Sequence, residues 1–238
     1  MPKGLLGKKI GMSQYFTETG DAIVVTYIEA GPCTALQVKT KDKDGYEAVQ
    51  LGFGKKRKKS TNKAQLGCFD KVKAQPLQFL REVKMEPKEE IKPGQEFFVD
   101  IFKPGDMVDI VGTSIGKGFQ GGVKRWHWLG GCETHGSMTH RRPGSIGASA
   151  FPSRVIKGQH LPGHMGNCKV TAKNLEIIEV DKEHNLLVIE GAVPGYKGNY
   201  LVIKQALSAK KKKQKPPVAE AAKQDKKPDA SKAKAKAK

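Results

Sequence analysis

The composition of this 238-residue chain indicates a partner more clearly than a fold. It carries 43 Lys and Arg against 24 Asp and Glu, a formal net charge of +19, which favours a nucleic acid partner. The four cysteines show no paired spacing, which disfavours a disulfide scaffold and predicts free thiols in a reducing compartment. We find no apolar run long enough for a signal peptide or a membrane span, so we expect a cytoplasmic protein with no membrane partner.

The surplus charge is concentrated in two segments. Residues 209–238 contain twelve lysines and three acidic residues, and residues 112–170 contain eight Lys and Arg with one acid, Glu133. The terminal segment is a low-complexity Lys/Ala/Pro sequence, which cannot bury enough apolar surface to offset its ordering entropy. We therefore expect a disordered tail at 209–238 and a nucleic-acid-binding segment in the interior.

Residues 1–54 predict β-structure. The stretches "AIVVTYIEAG", "CTALQVKT" and "YEAVQLGF" are rich in β-branched and aromatic residues and are bounded by glycine or charged turns. Between the last two, "KDKDG" supplies Asp44-Gly45 as a hairpin turn. Its aspartates also resemble part of a calcium loop, but the later glutamate ligand is missing at the required distance. A turn is the better interpretation.

Residues 55–92 differ in character from the strands around them. A basic run from Lys55 to Lys59 fits either a solvated face or a phosphate contact, and a short helix is predicted from about Asn62. Further strands are predicted at "FLREVKM", "EFFVDIF" and "MVDIVGTS", and later at "LEIIEVD", "LLVIEGAV" and "YLVIKQAL".

The order of these elements predicts a mainly β protein. We expect one β-barrel domain over residues 1–208, with a small α/β insertion at about 55–92 and a long excursion at about 115–170. Unstructured connections of that length are uncommon in compact domains and are usually functional or disordered. The excursion contains Phe119, Phe151 and other apolar residues, but too few for a core of its own. We expect it to become ordered by packing on a nucleic acid.

The glycines of the excursion also permit an enzyme interpretation. Gly116, Gly118 and Gly121 form G-x-G-x-x-G, the pattern of a dinucleotide-binding turn. Such a turn needs a helix of ten or more residues directly after the glycines and an Asp or Glu about twenty residues further along the chain. Neither is evident here. No nucleophile has a base and an orienting group beside it, so we expect neither catalysis, a cofactor nor a small-molecule substrate.

Two further alternatives concern the histidines, cysteines and tryptophans. Cys132-x-x-His135 and His160-x3-His164-x3-Cys168 have spacings that zinc could use, although about 25 residues separate the two groups. We expect no metal, because imidazoles among phosphates also serve as hydrogen-bond donors and stacking groups. Trp126 and Trp128 could pack against the stem of their own segment instead of stacking on bases.

Nucleic-acid binding explains more of the excursion than these alternatives do. Glycines allow close backbone approach, Lys and Arg neutralise phosphates, and Trp, His and Phe offer stacking faces. Arg141-Arg142, followed by Pro143-Gly144, predicts a cationic turn. No module that reads base pairs is visible, so the expected target is a structured RNA rather than a DNA sequence.

The same residues match a known family. A run of single positions resembles the signature of the universal large-subunit ribosomal protein L-three family: Phe102, Asp109, Gly112, Ser114, Gly116-Lys117-Gly118, Gly121 and Arg125. The opening "GLLGKKIGMSQYF" resembles the bacterial N-terminus of that family, and "HRRPGSIG", "VIKGQHLPGHMGN" and "NLLVIEGAVPG" resemble its later blocks. The resemblance spans about residues 1–207.

This resemblance implies a translation-factor-like β-barrel on the subunit surface, with a long finger that penetrates the ribosomal RNA towards the peptidyl-transferase centre. It also implies binding near the 3′ end of large-subunit rRNA, a role early in assembly, contacts with neighbouring ribosomal proteins and localisation in the ribosome. The finger tip corresponds to Gly144–Pro152. Many bacterial relatives have a glutamine-rich tip with one methylated glutamine, whereas this chain has Ala148, Ser149 and Ala150, so that methylation is not possible at the matching position, Ala150.

The charge pattern and the resemblance together nominate two sets of site residues. The expected rRNA contacts are Lys8, Lys9, Lys117, Lys124, Arg125, Trp126, His127, Trp128, His135, His140, Arg141, Arg142, Arg154, Lys157, His160 and His164. The expected tip residues near the peptidyl-transferase centre are Gly144, Ser145, Gly147, Ala148, Ser149, Ala150, Phe151 and Pro152.

Overall fold

The computed structural model describes residues 2–85 and 91–207; the predicted tail at 209–238 lies outside these ranges. The strands within them are β1 (Gly4–Phe16), β2 (Ala22–Ala30), β3 (Cys33–Lys39), β4 (Ala48–Lys55), β5 (Leu77–Lys84), β6 (Glu96–Phe97), β7 (Met107–Thr113), β8 (Gly118–Gln120), β9 (Gly163–Met165), β10 (Lys169–Asp181), β11 (Leu186–Glu190) and β12 (Tyr200–Gln205). The α-helices are α1 (Lys41–Asp44), α2 (Lys63–Val72) and α3 (Gly122–Trp126).

Six strands close into an antiparallel barrel in the order β1-β12-β7-β10-β11-β2. Alternation along a strand decides which side chains face the interior, as in β7, where Val108 and Ile110 are fully buried and Asp109 between them is not. Where the barrel is closed, each strand has a paired neighbour on both sides, so the backbone groups there pair with one another. The mainly β barrel predicted from the sequence is confirmed.

A second sheet packs beside the barrel, with strand order β5-β4-β3-β6. Helix α2 covers it through the buried Phe69, and its first residue follows Asn62, as predicted. This side sheet begins at Cys33 and ends at Phe97, so the insertion is wider than the expected 55–92. Leu51 of the side sheet and Ile110 of the barrel belong to one buried cluster, so the two sheets share a core.

Two local predictions differ from the structure. In "EFFVDIF" only Glu96–Phe97 is a strand, and a 3₁₀ turn follows at Val99–Ile101. The turn lets Val99 and Phe102 enter the core three residues apart, which a straight strand with its period of two would not allow. Asp44-Gly45 is not a two-residue turn, because Lys41–Asp44 forms one helical turn that ends at Gly45 with φ 80°. β3 and β4 still form the predicted antiparallel hairpin.

The long excursion leaves the barrel from neighbouring strands. β7 ends at Thr113 and β10 begins at Lys169, and these two residues are opposite each other in the ladder. We call residues 115–170 the finger. Because both of its ends are fixed on adjacent strands of a closed barrel, the direction in which the finger leaves is set by the barrel.

Candidate nucleic-acid interface

The two legs of the finger are paired where they leave the barrel. β8 pairs antiparallel with β9, and Phe119 lies opposite His164. Closer to the barrel, the backbone N–H of Lys117 donates to the carbonyl of Met165 at 2.9 Å, and that of Ser114 donates to the carbonyl of Cys168 at 2.9 Å. The finger therefore begins as a hydrogen-bonded ribbon rather than as two separate loops.

Beyond the ribbon, a group of residues that we call the leg clamp (Arg125, Trp126, His160 and Leu161) joins the two legs. Arg125 Nη1 and Trp126 Nε1 donate to the carbonyl oxygen of Leu161, at 2.8 and 2.9 Å. The Trp126 ring stacks on His160, with 4.0 Å between ring centroids and 7° between planes. The Arg125 guanidinium lies 5.0 Å from the centroid of the Trp126 ring. These contacts connect residues about 35 apart in sequence, so they fix the legs against each other.

Two glycines of the finger base provide space for this packing. A Cβ atom at Gly122 would overlap the ring of Trp128, and one at Gly163 would overlap the guanidinium of Arg125. Both glycines therefore serve side-chain packing, and Gly122 also begins the five-residue helix α3. Trp128 thus packs on its own stem, as the packing alternative expected.

The leg clamp changes the interpretation of three expected RNA contacts. Arg125, Trp126 and His160 each have an intrachain partner, and Arg125 is only partly exposed. α3 ends where His127 takes a left-handed conformation at φ 60°, so Trp126 and Trp128 do not lie in an extended segment. These side chains hold the two legs of the finger base together.

The structure contradicts one of the expected rRNA contacts, Lys9. It was expected to contact rRNA, but only 7% of the residue is exposed. Its Nζ donates to the carbonyl oxygens of Val193 at 2.7 Å and Gly195 at 3.2 Å, and burial lowers its pKa. Two of the three N–H donors of this ammonium group are used inside the fold, and little of the residue reaches the surface, so Lys9 is not placed as a phosphate contact. Its neighbour Lys8 lies on the opposite face of β1 and is exposed.

The remaining expected contacts face outward. They are exposed along the finger and, for the first of them, on β1: Lys8, Lys117, Lys124, His127, His135, His140, Arg141, Arg142, Arg154, Lys157 and His164. Within residues 2–85 and 91–207, the ion pairs lie in the barrel and the side sheet, as in Lys39–Glu82, and no finger cation is paired with a carboxylate. The finger thus presents cations that the described part of the chain does not neutralise.

The finger also exposes large apolar side chains. Leu129 is fully exposed, Phe151 is 89% exposed and Phe119 is 77% exposed. Exposed apolar groups this numerous on one segment mark an interaction surface, since a packed domain would bury them. Their alternation with cations and glycines is the combination that binds a nucleic-acid backbone and stacks on bases.

The predicted tip, Gly144–Pro152, is exposed except for the half-buried Pro152. Ser145 Oγ donates to the carbonyl of Gly147 at 2.9 Å, which closes a local turn. Between Gly147 and Ala150 no side chain is larger than serine. The tip can therefore approach another surface through its backbone.

The basic run at Lys55–Lys59 is an ordered feature. Lys58–Ser60 forms a 3₁₀ turn, and Thr61 Oγ1 donates to the carbonyl of Arg57 at 3.1 Å. Its cations are exposed apart from the half-buried Lys56. The structure leaves both the solvated and the phosphate-binding interpretations open.

Among the described residues, no three His, Cys, Asp or Glu side chains are grouped so that they could hold a metal ion. Cys168 Sγ instead lies 3.3 Å from Ser114 Oγ at the finger base. Cys33 is the buried thiol: it donates to the carbonyl of Leu6 at 3.3 Å, and burial raises its pKa to about 12.

Comparison with protein families gives a match to the model described as "Ribosomal protein L3", over residues 78–185. A protein of Pelotomaculum thermopropionicum named "Large ribosomal subunit protein uL3" is 56% identical over 88% of this chain and 100% of its own length. Proteins of the same name from Carboxydothermus hydrogenoformans and Syntrophotalea carbinolica are 51% and 52% identical, over 88% and 87% of this chain and 100% and 99% of their own lengths. The chain belongs to the ribosomal protein L3 family.

Membership of the L3 family excludes the enzyme alternative, because the family consists of ribosomal proteins. The G-x-G-x-x-G pattern at Gly116, Gly118 and Gly121 is therefore not a dinucleotide site. The matched range, 78–185, includes the whole finger. Within residues 2–85 and 91–207, the longest helix has ten residues, and none is long and apolar enough to cross a bilayer.

Sequence reasoning missed two structural roles. Lys9 follows Lys8 in a basic pair, and charge alone cannot show which of the two points inward. The alternation of strand β1 does not show it either, because Leu5 shares a face with Lys9, Leu6 shares a face with Lys8, and both leucines are fully buried. The leg clamp has no local sequence signal, because its two halves are about 35 residues apart.

Proposed function

We propose that this protein is a structural constituent of the large ribosomal subunit in the cytoplasm, and that its finger binds large-subunit rRNA near the 3′ end. The barrel lies on the subunit surface beside neighbouring ribosomal proteins. The finger tip, Gly144–Pro152, reaches towards the peptidyl-transferase centre. By holding RNA segments together, the protein supports an early step of subunit assembly.

The observation that carries this proposal is the surface of the finger. It presents unneutralised cations such as Lys124, Arg141 and Arg142 beside exposed apolar groups such as Leu129 and Phe151. A polyanion with stacking faces satisfies both kinds of group, whereas water satisfies only the first.

The base of the finger supports the same conclusion. Ordering a long loop at the moment of binding costs conformational entropy. The β8–β9 ribbon and the leg clamp fix the first part of each leg beforehand, so binding has to order only the distal part. Each leg has about 28 residues and spans at most about 90 Å when fully extended, which sets the upper limit of how far the tip reaches into the RNA.

The experiment compares two double variants of the full chain. Arg141→Ala with Arg142→Ala removes two exposed cations from the finger, and Lys41→Ala with Lys43→Ala removes two exposed cations from α1 in the side sheet. Binding to a transcript of the 3′ portion of large-subunit rRNA is measured against salt concentration. The slope of log K against log salt is negative, and each lost phosphate contact reduces its magnitude by about 0.7–0.9.

The finger variant is expected to reduce the magnitude of the slope by roughly 1.4–1.8, and the α1 variant is expected to leave it within error. Equal effects of the two variants would indicate non-specific attraction by the whole charge. An unchanged slope for the finger variant would refute the proposed interface.

A further inference from the structure

The first hairpin of the barrel continues beyond the barrel. Within the barrel, β1 pairs with β12 as far as Lys8, and β2 pairs with β11 from Val25 onward. Past these points β1 and β2 continue as a two-stranded ladder, from Gly11 to Phe16 and from Ala22 to Val24, and Val24 accepts one further backbone hydrogen bond from the N–H of Gly191. In a two-stranded hairpin each strand has only one neighbour, so the cover of its two faces has to come from elsewhere in the fold.

One face of this hairpin is the continuation of the barrel interior. Along β2, Ile28 and Thr26 are fully buried, and Thr26 Oγ1 donates to the carbonyl of Gly191 at 2.7 Å. The next residue on that face is Val24, which is 52% exposed. On β1, Gln14 lies opposite Val24, and Phe16 and Met12 lie two residues to either side of Gln14.

Cross-strand partners share a face, and diagonal neighbours lie about 7–8 Å apart. Met12, Phe16 and Val24 therefore form one apolar stripe, which we call the hairpin face. Phe16 is 68% exposed and Met12 is 48% exposed. The stripe has the alternation of a buried strand face but lacks a cover in the described part of the chain.

The charge around the hairpin face differs from that of the rest of the molecule. Between Ile10 and Val38 there is no Lys or Arg, and the carboxylates are Glu18, Asp21 and Glu29. Glu18 and Asp21 lie in the exposed turn of the hairpin itself. Residues 169–192, which comprise β11 next to β2 and β10 beyond it, contain five carboxylates and three lysines. In a chain of net charge +19, this side is the acidic one.

An acidic surface disfavours RNA, because phosphates and carboxylates repel each other. The same charges attract a cationic protein segment, and the apolar stripe supplies area that such a segment can bury. We propose that the hairpin face docks a neighbouring ribosomal protein through a basic segment with apolar side chains. The proposal rests on the proposed place of the chain in the large subunit, and it divides the surface into an RNA-facing finger and a protein-facing hairpin.

The test places a photo-crosslinking amino acid in the full chain within purified large subunits. p-Benzoylphenylalanine replaces Phe16 in one variant, Phe98 in a second and Phe151 in a third. Phe98 is a matched control, since it is an exposed phenylalanine outside the hairpin. After irradiation, the crosslinked partner is identified by mass spectrometry or by primer extension on the rRNA.

Position 16 is expected to crosslink to one ribosomal protein, within a peptide of net positive charge, and position 98 is not expected to crosslink to that peptide. Changing Glu18 and Asp21 to lysine is expected to reduce the position-16 crosslink at least about tenfold, since like charges would then meet. Crosslinking of position 16 to rRNA, to an acidic or neutral peptide, to residues 208–238 of the same chain, or to nothing would overturn the proposal.

Position 151 separates this proposal from the function on which it rests. A crosslink from position 151 to rRNA, together with failure at position 16, would leave the rRNA-binding function intact and remove only the hairpin docking. Failure at position 151 would instead count against the finger.

Discussion

Lys9 allows a test in which two adjacent lysines have opposite roles. Lys9→Met retains most of the apolar stem but removes two hydrogen bonds from a buried ammonium group, at 2.7 and 3.2 Å. Hydrogen bonds to charged groups contribute about 1.5–3 kcal/mol each, and methionine avoids the desolvation of the ammonium. The expected net loss of stability is roughly 2 kcal/mol, because the desolvation that methionine avoids offsets part of the lost hydrogen-bond energy. In a protein of this size that corresponds to a decrease in Tm of about 4–8 °C.

The matched control is Lys8→Met, one residue away on the exposed face of β1. It is expected to change stability by less than about 0.5 kcal/mol. Both variants are compared with the parent chain by urea unfolding and by the salt dependence of rRNA binding. Lys9→Met is expected to lower the urea midpoint and to leave the salt slope unchanged, whereas Lys8→Met reduces only the magnitude of the slope, by about 0.7–0.9. If Lys9→Met leaves stability within about 0.5 kcal/mol of the parent and reduces the magnitude of the slope, the buried role of Lys9 is wrong.

Three other predictions concern a thiol, a carboxyl group and the tip. At pH 8 in the native protein, Cys68, Cys132 and Cys168 are expected to react with a thiol reagent, whereas Cys33, buried and with a pKa of about 12, reacts only after unfolding; four fast thiols would contradict this. Hydrogen bonds from Lys39 and Tyr46 hold the pKa of Glu82 below its ordinary value of 4.5, so its contribution to stability is complete above pH 4.5 and is lost as pH falls through the lowered pKa. The Tm advantage of the parent over Glu82→Gln should therefore shrink below pH 4.5, and a constant difference down to pH 3 would count against it. Ala148→Arg is expected to leave the stability of the isolated protein within about 0.5 kcal/mol but to impair peptide-bond formation by assembled subunits, unlike the control Ala64→Arg on α2; wild-type activity of both would place the tip elsewhere.

The barrel could be predicted from the sequence because its strands either alternate, as β7 does, or are short apolar runs buried on both faces, as β11 and β12 are. β2, β7, β11 and β12 lie within stretches of β-branched and aliphatic residues that the sequence marks clearly. The separation between barrel and side sheet could not be predicted, because β2 and β3 have similar compositions and a strand carries no local mark of its partner. The 3₁₀ turn at Val99–Ile101 was missed for a related reason: its apolar residues suit a strand, and only the shared core selects a turn.

The finger could be located from charge and glycine content, but its internal contacts could not. Two adjacent cations of the finger have different surroundings: Lys124 is exposed, whereas Arg125 donates a hydrogen bond to Leu161 on the other leg. Which of two adjacent residues turns inward depends on how the legs pair, and that pairing joins residues about 35 apart. Composition fixes the total charge of the segment, whereas geometry fixes which side chains remain available to RNA.

The most direct test of the finger's function is directed hydroxyl-radical probing from its tip. The exposed Cys68, Cys132 and Cys168 are replaced, the buried Cys33 is kept, and Ser149→Cys carries a tethered iron chelate in reconstituted large subunits. A chain that keeps only Cys68 and Cys33 carries the probe on α2 as the matched control. Cleavage of rRNA at the peptidyl-transferase centre from position 149, and not from position 68, is the predicted result. Absence of cleavage there from position 149, in subunits that contain the protein at full occupancy, would contradict insertion of the finger into the RNA.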